Sequence, residues 1–128
     1  MVLIMDEFEE FKTKRREMNE KIFSLQNKQI NRFFALDTGA YLEGALTVKT
    51  KELMGLSTSL VLRCEDCIKY HIIRAVQVGC TDEEIAETLS IAMIVGGSIV
   101  VPEMRRAVDT LFQLREKQKK GETLEYLL

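Results

Sequence analysis

Apolar residues recur at three- and four-residue intervals through almost the whole chain, and only one proline, Pro102, interrupts them. That spacing places them on one face of an α-helix, and it is the strongest constraint on what this sequence can become. The seam Ile4, Phe8, Phe11, Arg15, Met18, Ile22 and Leu25 has a period of about 3.5, narrow and suited to lying against another helix. Arg15 is its one polar member, and the arm reads as a core-facing helix or as one that packs on a neighbouring subunit. Ile30 to Tyr41 forms a second helix with Ile30, Phe33 and Phe34 inward and Ala40–Tyr41 as further candidates for that face; Gly39 and Gly44 bracket its end and the loop Leu42–Leu46.

Thr47 is placed to cap a third helix running to about Arg63, with Leu53, Leu56, Leu60 and Val61 as its buried stripe and Glu52 beside it. A fourth helix starts at Cys64–Cys67 and ends near Gly79, a residue suited to the left-handed turn past a helix end. Thr81-Asp-Glu-Glu84 is a capping-box sequence, and Cys80 before it is placed to staple onto Ile85. The fifth helix is expected over about 82–101, apolar on most sides and therefore central. Gly96 and Gly97 would let another helix or subunit approach it closely. Pro102 suits the first turn of a sixth helix, with Met104, Val108, Leu111 and Leu114 inward. The cationic run from Arg115 to Lys120 suits that helix's C-terminal end; Gly121 closes it, and Leu124–Leu128 dock or fray. The expected fold is all-α, about six helices in a single domain over residues 1–128.

At 128 residues the chain is long enough for one helical core. A net charge of −2, with cations and anions intermixed, lacks the basic footprint of a nucleic-acid binder. The longest apolar run, from Leu89 to Val101, is short of the roughly 20 residues that span a bilayer. Residues 1–5 are too few for a signal-peptide core and are followed by Asp6, Glu7, Glu9 and Glu10, so a cytoplasmic protein is expected. Three cysteines in that compartment argue against a structural disulfide framework and for catalysis or metal binding.

The chemistry concentrates in Cys64-Glu-Asp-Cys-Ile-Lys-Tyr-His71, which holds the only histidine of the chain. At about 100° per residue, Cys64, Cys67 and His71 fall within roughly 60° of one another on one helix face. First-turn amides favour a thiolate, and a histidine one turn on can take a thiol proton or pair with the thiolate. Glu65 and Asp66 oppose a neighbouring thiolate, with Arg63 and Lys69 available to offset them. If helices three and four form a straight antiparallel hairpin, Glu52 lies about 16 Å before the turn. That is nearer to His71 than to Cys64, so Glu52 is expected to orient or charge His71.

Glu52, eleven residues, Cys64-x-x-Cys67, three residues and His71 resemble the active-site signature of the alkylhydroperoxidase D-like family, within the carboxymuconolactone decarboxylase superfamily. Thr50–Leu53 and the run from Gly79 to Glu87 resemble its core, so the likeness spans about residues 47–101. The resemblance implies an all-helical homo-oligomer, a trimer or hexamer, needing no cofactor or metal. It would act in antioxidant defence, reducing a peroxide or passing electrons to a peroxide-reducing partner. In such proteins the residue matching Cys67 attacks the peroxide. The one matching Cys64 resolves it to a disulfide and faces a dithiol or protein reductant, and those matching Glu52 and His71 relay the proton. Three rivals stand beside this reading. One is a zinc site on Cys64, Cys67, His71 and Glu52, which lacks a second ligand pair downstream. The others are a lactone decarboxylase, which has no use for a dithiol, and a binding protein whose motif has no redox role.

Overall fold

The computed structural model describes residues 6–125, so Ile4 of the N-terminal seam and residues 126–128 lie outside it. The described residues contain six α-helices and no strand, and they fall into two compact units, 6–42 and 43–125.

The first unit holds α1 (Glu7–Ser24) and α2 (Lys28–Ala40). Each begins on a side-chain cap: Asp6 accepts from the Glu9 amide at 2.9 Å, and Asn27 from the Ile30 amide at 3.0 Å. Phe23 of α1 meets Phe34 of α2 edge to face, with ring centroids 4.9 Å apart. The polar member of the seam, Arg15, lays its guanidinium over the Phe11 ring. Phe8 is buried, Phe11, Arg15 and Ile22 are half-buried, and Met18 and Leu25 are exposed. The expectation for α2 is corrected: Phe33 is 68 % exposed, Ile30 and Phe34 are only half-buried, and no residue of α2 is fully buried. A periodic apolar stripe specifies a face, but burial also requires a surface to cover it.

The second unit comprises α3 (Val48–Leu62), α4 (Glu65–Gln77), α5 (Asp82–Gly96), a single 3₁₀ turn (Ser98–Val100) and α6 (Val101–Lys119). Helix α3 packs against both α4 and α5, and α4 packs against α6. Leu56, Leu60, Ile72, Ile73, Ile85 and Leu114 are fully buried there, while Leu53 and Val61 lie half-buried at the edge of the α3 stripe.

The boundaries follow local chemistry. Thr47 caps α3 by accepting from the Thr50 amide at 3.1 Å. Past α4, Gly79 takes φ +88°; its amide bonds to the Val76 carbonyl and the Cys80 amide to the Ala75 carbonyl, the paired bonds of a Schellman ending. The capping box at α5 is complete, and Cys80 and Ile85 are both buried at the two positions of a hydrophobic staple. Lys49 of α3 joins Glu84 of that box at 2.8 Å, and Arg115 of α6 joins Asp82 at the same distance. Pro102 lies in the first turn of α6, as expected.

Helix α5 departs from expectation. It stops at Gly96 rather than near Val101, because Gly97 adopts φ +81°, which a continuing helix cannot use. A Cβ on Gly96 would run into the Val100 side chain and would touch Val61 of α3 at 3.5 Å, so the tightest approach is made by the next turn of its own chain and an ordinary contact by a neighbouring helix. Nor is α5 enclosed on all sides. Ile85, Leu89 and Ala92 are buried, while Ile91, Ile94 and Val95 face outward, Ile94 at 79 % exposure. On α6 the stripe is shifted as well: Ala107, Thr110, Leu111 and Leu114 are buried, whereas Met104 and Val108 are only half-covered. No helix of the described residues is long and apolar enough to cross a membrane.

Candidate active site

Helix α3 is capped at its end by Arg63, and α4 is capped at its start by the very next residue, Cys64. Arg63 takes the left-handed conformation (φ 57°, ψ 40°), its amide bonds to the Leu60 carbonyl, and the Cys64 amide bonds to the Ser59 carbonyl at 3.1 Å. The chain thereby reverses within two residues, and Cys64 becomes the N-cap of α4. Its sulfur accepts the Cys67 amide at 3.3 Å, where Ser, Thr, Asp or Asn usually supplies an oxygen. Cys64 and Cys67 form a disulfide. Cys64 is half-buried and Cys67 exposed within the chain.

His71 follows one turn below Cys67 on the same face, where side chains four apart have Cβ atoms about 5–6 Å from each other. It is 8 % exposed, and the Tyr70 ring stands edge-on beside it at 5.1 Å. Its Nδ1 lies 2.9 Å from Glu52 Oε2 of α3. The expected Glu52–His71 partnership is therefore present, and the antiparallel hairpin delivers it. Glu52 is not a residue at the side of the stripe: at 1 % exposure it is as buried as the leucines around it. Where the carboxylate is ionised it only accepts, and His71 Nδ1 is then the donor of this contact.

Sequence reasoning overlooked Arg74. Its Nε donates to Glu52 Oε1 at 3.3 Å, so both carboxylate oxygens are occupied, each by a different residue of α4. The available signal was the His71-x-x-Arg74 spacing, which puts both groups on the face of α4 that turns toward Glu52. Arg106 was overlooked too. From α6 it approaches Glu65 at 3.9 Å and donates to Glu103 at 2.8 Å, both partners raising its pKa. It thus sets a positive charge against one of the two acids between the cysteines. The third thiol, Cys80, is buried away from the pair; burial foremost, then the charges of Glu84 and Glu52, push its pKa up. Among the described residues, no three His, Cys, Asp or Glu side chains are grouped to hold a metal ion.

Against known families, residues 30–110 match the carboxymuconolactone decarboxylase family. The chain belongs to that family. A family member from Thermotoga maritima, described as a candidate participant in an antioxidative response, has a crystal structure that superposes with a TM-score of 0.87. It is 57 % identical, over 91 % of this chain and 98 % of its own. A member from Legionella pneumophila, solved in its apo form, is 27 % identical over 85 % of this chain and 97 % of its own, with a TM-score of 0.76. An uncharacterised protein of Cupriavidus necator is 29 % identical over 69 % of this chain and 80 % of its own length. The all-α fold and the alkylhydroperoxidase D-like resemblance of the Glu52–His71 segment agree with this membership.

Proposed function

We propose that the chain is a thiol-dependent peroxidase or disulfide oxidoreductase of antioxidant defence, working through Cys64 and Cys67. The observation that carries the reading is a disulfide at a helix N-terminus, one turn from a buried histidine that a buried carboxylate orients. The description of the Thermotoga maritima relative points the same way. A lactone decarboxylase would need the acid and base but not the disulfide.

In the reduced enzyme His71 accepts the Cys67 proton. The thiolate attacks the outer oxygen of a hydroperoxide and the O–O bond breaks. Cys67 becomes a sulfenic acid, and the departing alkoxide takes its proton from His71 and leaves as an alcohol. The Cys64 sulfur then attacks the Cys67 sulfur; hydroxide leaves with the Cys64 proton as water, and the disulfide closes. A dithiol reductant, small or protein-borne, returns two electrons and is itself oxidised to a disulfide. Every electron comes from thiols, so the cycle calls for no cofactor. The outward Ile91, Ile94 and Val95 support assembly as a homo-oligomer, and the family resemblance implies a trimer or hexamer.

Free thiols counted before and after one equivalent of peroxide test this. The reduced chain should fall from three to one, leaving Cys80, and a dithiol should restore the count. Cys67→Ser should lose peroxide turnover while keeping its helical circular dichroism. Reduced thiols that persist in the peroxide, or a Cys67→Ser chain that turns over normally, would sink the proposal.

A further inference from the structure

An ionised carboxylate as buried as Glu52 needs a compensating charge nearby. Two groups meet it, one on each oxygen: His71 Nδ1 at 2.9 Å and Arg74 Nε at 3.3 Å. Imidazole supplies a positive charge only when both nitrogens are protonated, and it then has no capacity left to accept a thiol proton. Guanidinium is charged at every pH of interest. With Arg74 as the counter-charge, the cluster of Glu52, Arg74 and a neutral His71 sums to zero.

Arg74 is also held in place. Its Nη1 donates to Gln77 Oε1 at 3.0 Å, and Gln77 Nε2 donates to the Leu124 carbonyl at 2.8 Å, so the chain beyond α6 braces the guanidinium from behind. Among the described residues, no cation other than Arg74 and His71 pairs with Glu52. Tyr70 on α4 offers a ring edge, and the buried Cys80 thiol that feels Glu52 is kept neutral by burial. On α6, the helix packed against α4, Arg106 is engaged with Glu103 and Glu65.

We infer that Arg74 is a positioning residue that carries the counter-charge of Glu52, leaving His71 neutral, protonated on Nδ1, and able to serve the thiols as a base. The consequence for turnover rests on the peroxidase reading; the charge balance does not.

Because His71 is the only histidine, the imidazole nitrogens of the ¹⁵N-labelled full-length chain report on it alone. In the wild type at pH 7.5 they should show the neutral form with its proton on Nδ1. Arg74→Gln keeps a hydrogen-bonding group but removes the charge, and should raise the protonation constant of His71 about tenfold or more. Arg74→Lys restores the charge and should stay within about threefold of wild type. Peroxide turnover should fall in the Gln variant and recover at least partly in the Lys variant. An Arg74→Gln protonation constant equal to wild type overturns the inference, as does a Lys variant displaced as far as Gln. If neither variant folds, the wild-type spectrum decides: a doubly protonated imidazole at pH 7.5 overturns it, and the Nδ1–H form upholds it. A wild type without peroxide turnover would remove the peroxidase reading and leave the imidazole result standing for Arg74.

Discussion

Helices α2 and α4 are the same length, thirteen residues, and both carry apolar side chains at helical spacing. Helix α4 buries Ile68, His71, Ile72, Ile73, Ala75 and Val76, while α2 buries nothing completely. Periodicity made both of them helices. What separates them is the number of surfaces available within their own unit: α4 has α3 on one side and α6 on another, whereas α2 shares its unit with α1 alone. The lesson concerns where chemistry can be built. A carboxylate and an imidazole can be held dry and oriented beside α4 because two helices exclude water there, and no comparable site could be held on α2 by its own unit.

The sharpest way to break that contrast is truncation. Ile73→Ala should cost about 2–5 kcal/mol of unfolding free energy, because it leaves a cavity that a tightly packed site cannot close. Phe33→Ala removes a larger side chain from an exposed position and should change the unfolding free energy by no more than about 0.5 kcal/mol in dilute solution. Urea unfolding at several protein concentrations checks both. An Ile73→Ala cost should not depend on concentration. A Phe33→Ala cost that grows with concentration would show that an assembly buries α2, since association stabilises by mass action. Equal costs at high dilution would erase the distinction between the two helices.

The same contrast explains what could be read from the sequence. Helix ends were legible because their signals are local: the Thr47 cap, the Thr81–Glu84 box, Gly79 at φ +88° and Pro102 in a first turn each act within about three residues. The pairing of Glu52 with His71 was legible as well, because a straight hairpin and a constant rise per residue suffice to bring them level. The burial of Glu52 was not. Its second carboxylate oxygen is met by Arg74, twenty-two positions away, and spacing along α4 puts Arg74 on the right face without marking it as the partner of Glu52. The outward faces of α2 and α5 were misjudged for a related reason, since apolar spacing says nothing about whether a partner helix exists. At Gly96-Gly97 both glycines suggested close approach, but Gly97 ends the helix and only Gly96 lies against a neighbour.

A smaller effect probes the buried end of α4. Burial pushes the Cys80 thiol above its ordinary value of 9.0, with Glu84 and Glu52 adding to the shift. The folded chain therefore holds this proton more tightly than the unfolded chain does. The associated stability is complete below the ordinary thiol value and is lost as pH rises through the folded one, by at most about 1.4 kcal/mol per pH unit for one proton. Unfolding free energies measured from pH 8 to 10.5 should fall more steeply in the wild type than in Cys80→Ala. The difference between the two curves is the relevant quantity, because Lys49, held above its ordinary range by Glu84, also loses its contribution at high pH in both chains. Parallel curves would mean that Cys80 is less enclosed than its neighbours in α4.

The smallest effect lies where α3 hands over to α4. Two helix ends in this unit use the same pair of Schellman bonds: α4 turns on Gly79, whereas α3 turns on Arg63, with φ at 57°. A residue with a Cβ pays roughly 1–2 kcal/mol for that conformation. Glycine would remove this strain, against about 0.4–1 kcal/mol for the greater freedom of its unfolded chain. Arg63→Gly should therefore stabilise the oxidised protein by about 0.5–1 kcal/mol in urea unfolding. It should leave the Cys64 cap intact, because the bond that sets it, from the Cys64 amide to the Ser59 carbonyl, involves no side chain of Arg63. Disulfide formation by peroxide should then proceed at the wild-type rate. A stabilised chain that forms its disulfide more slowly would show that the Arg63 guanidinium, and not only its backbone, serves the thiols. Its charge would then have to be set beside that of Arg106 in offsetting Glu65 and Asp66.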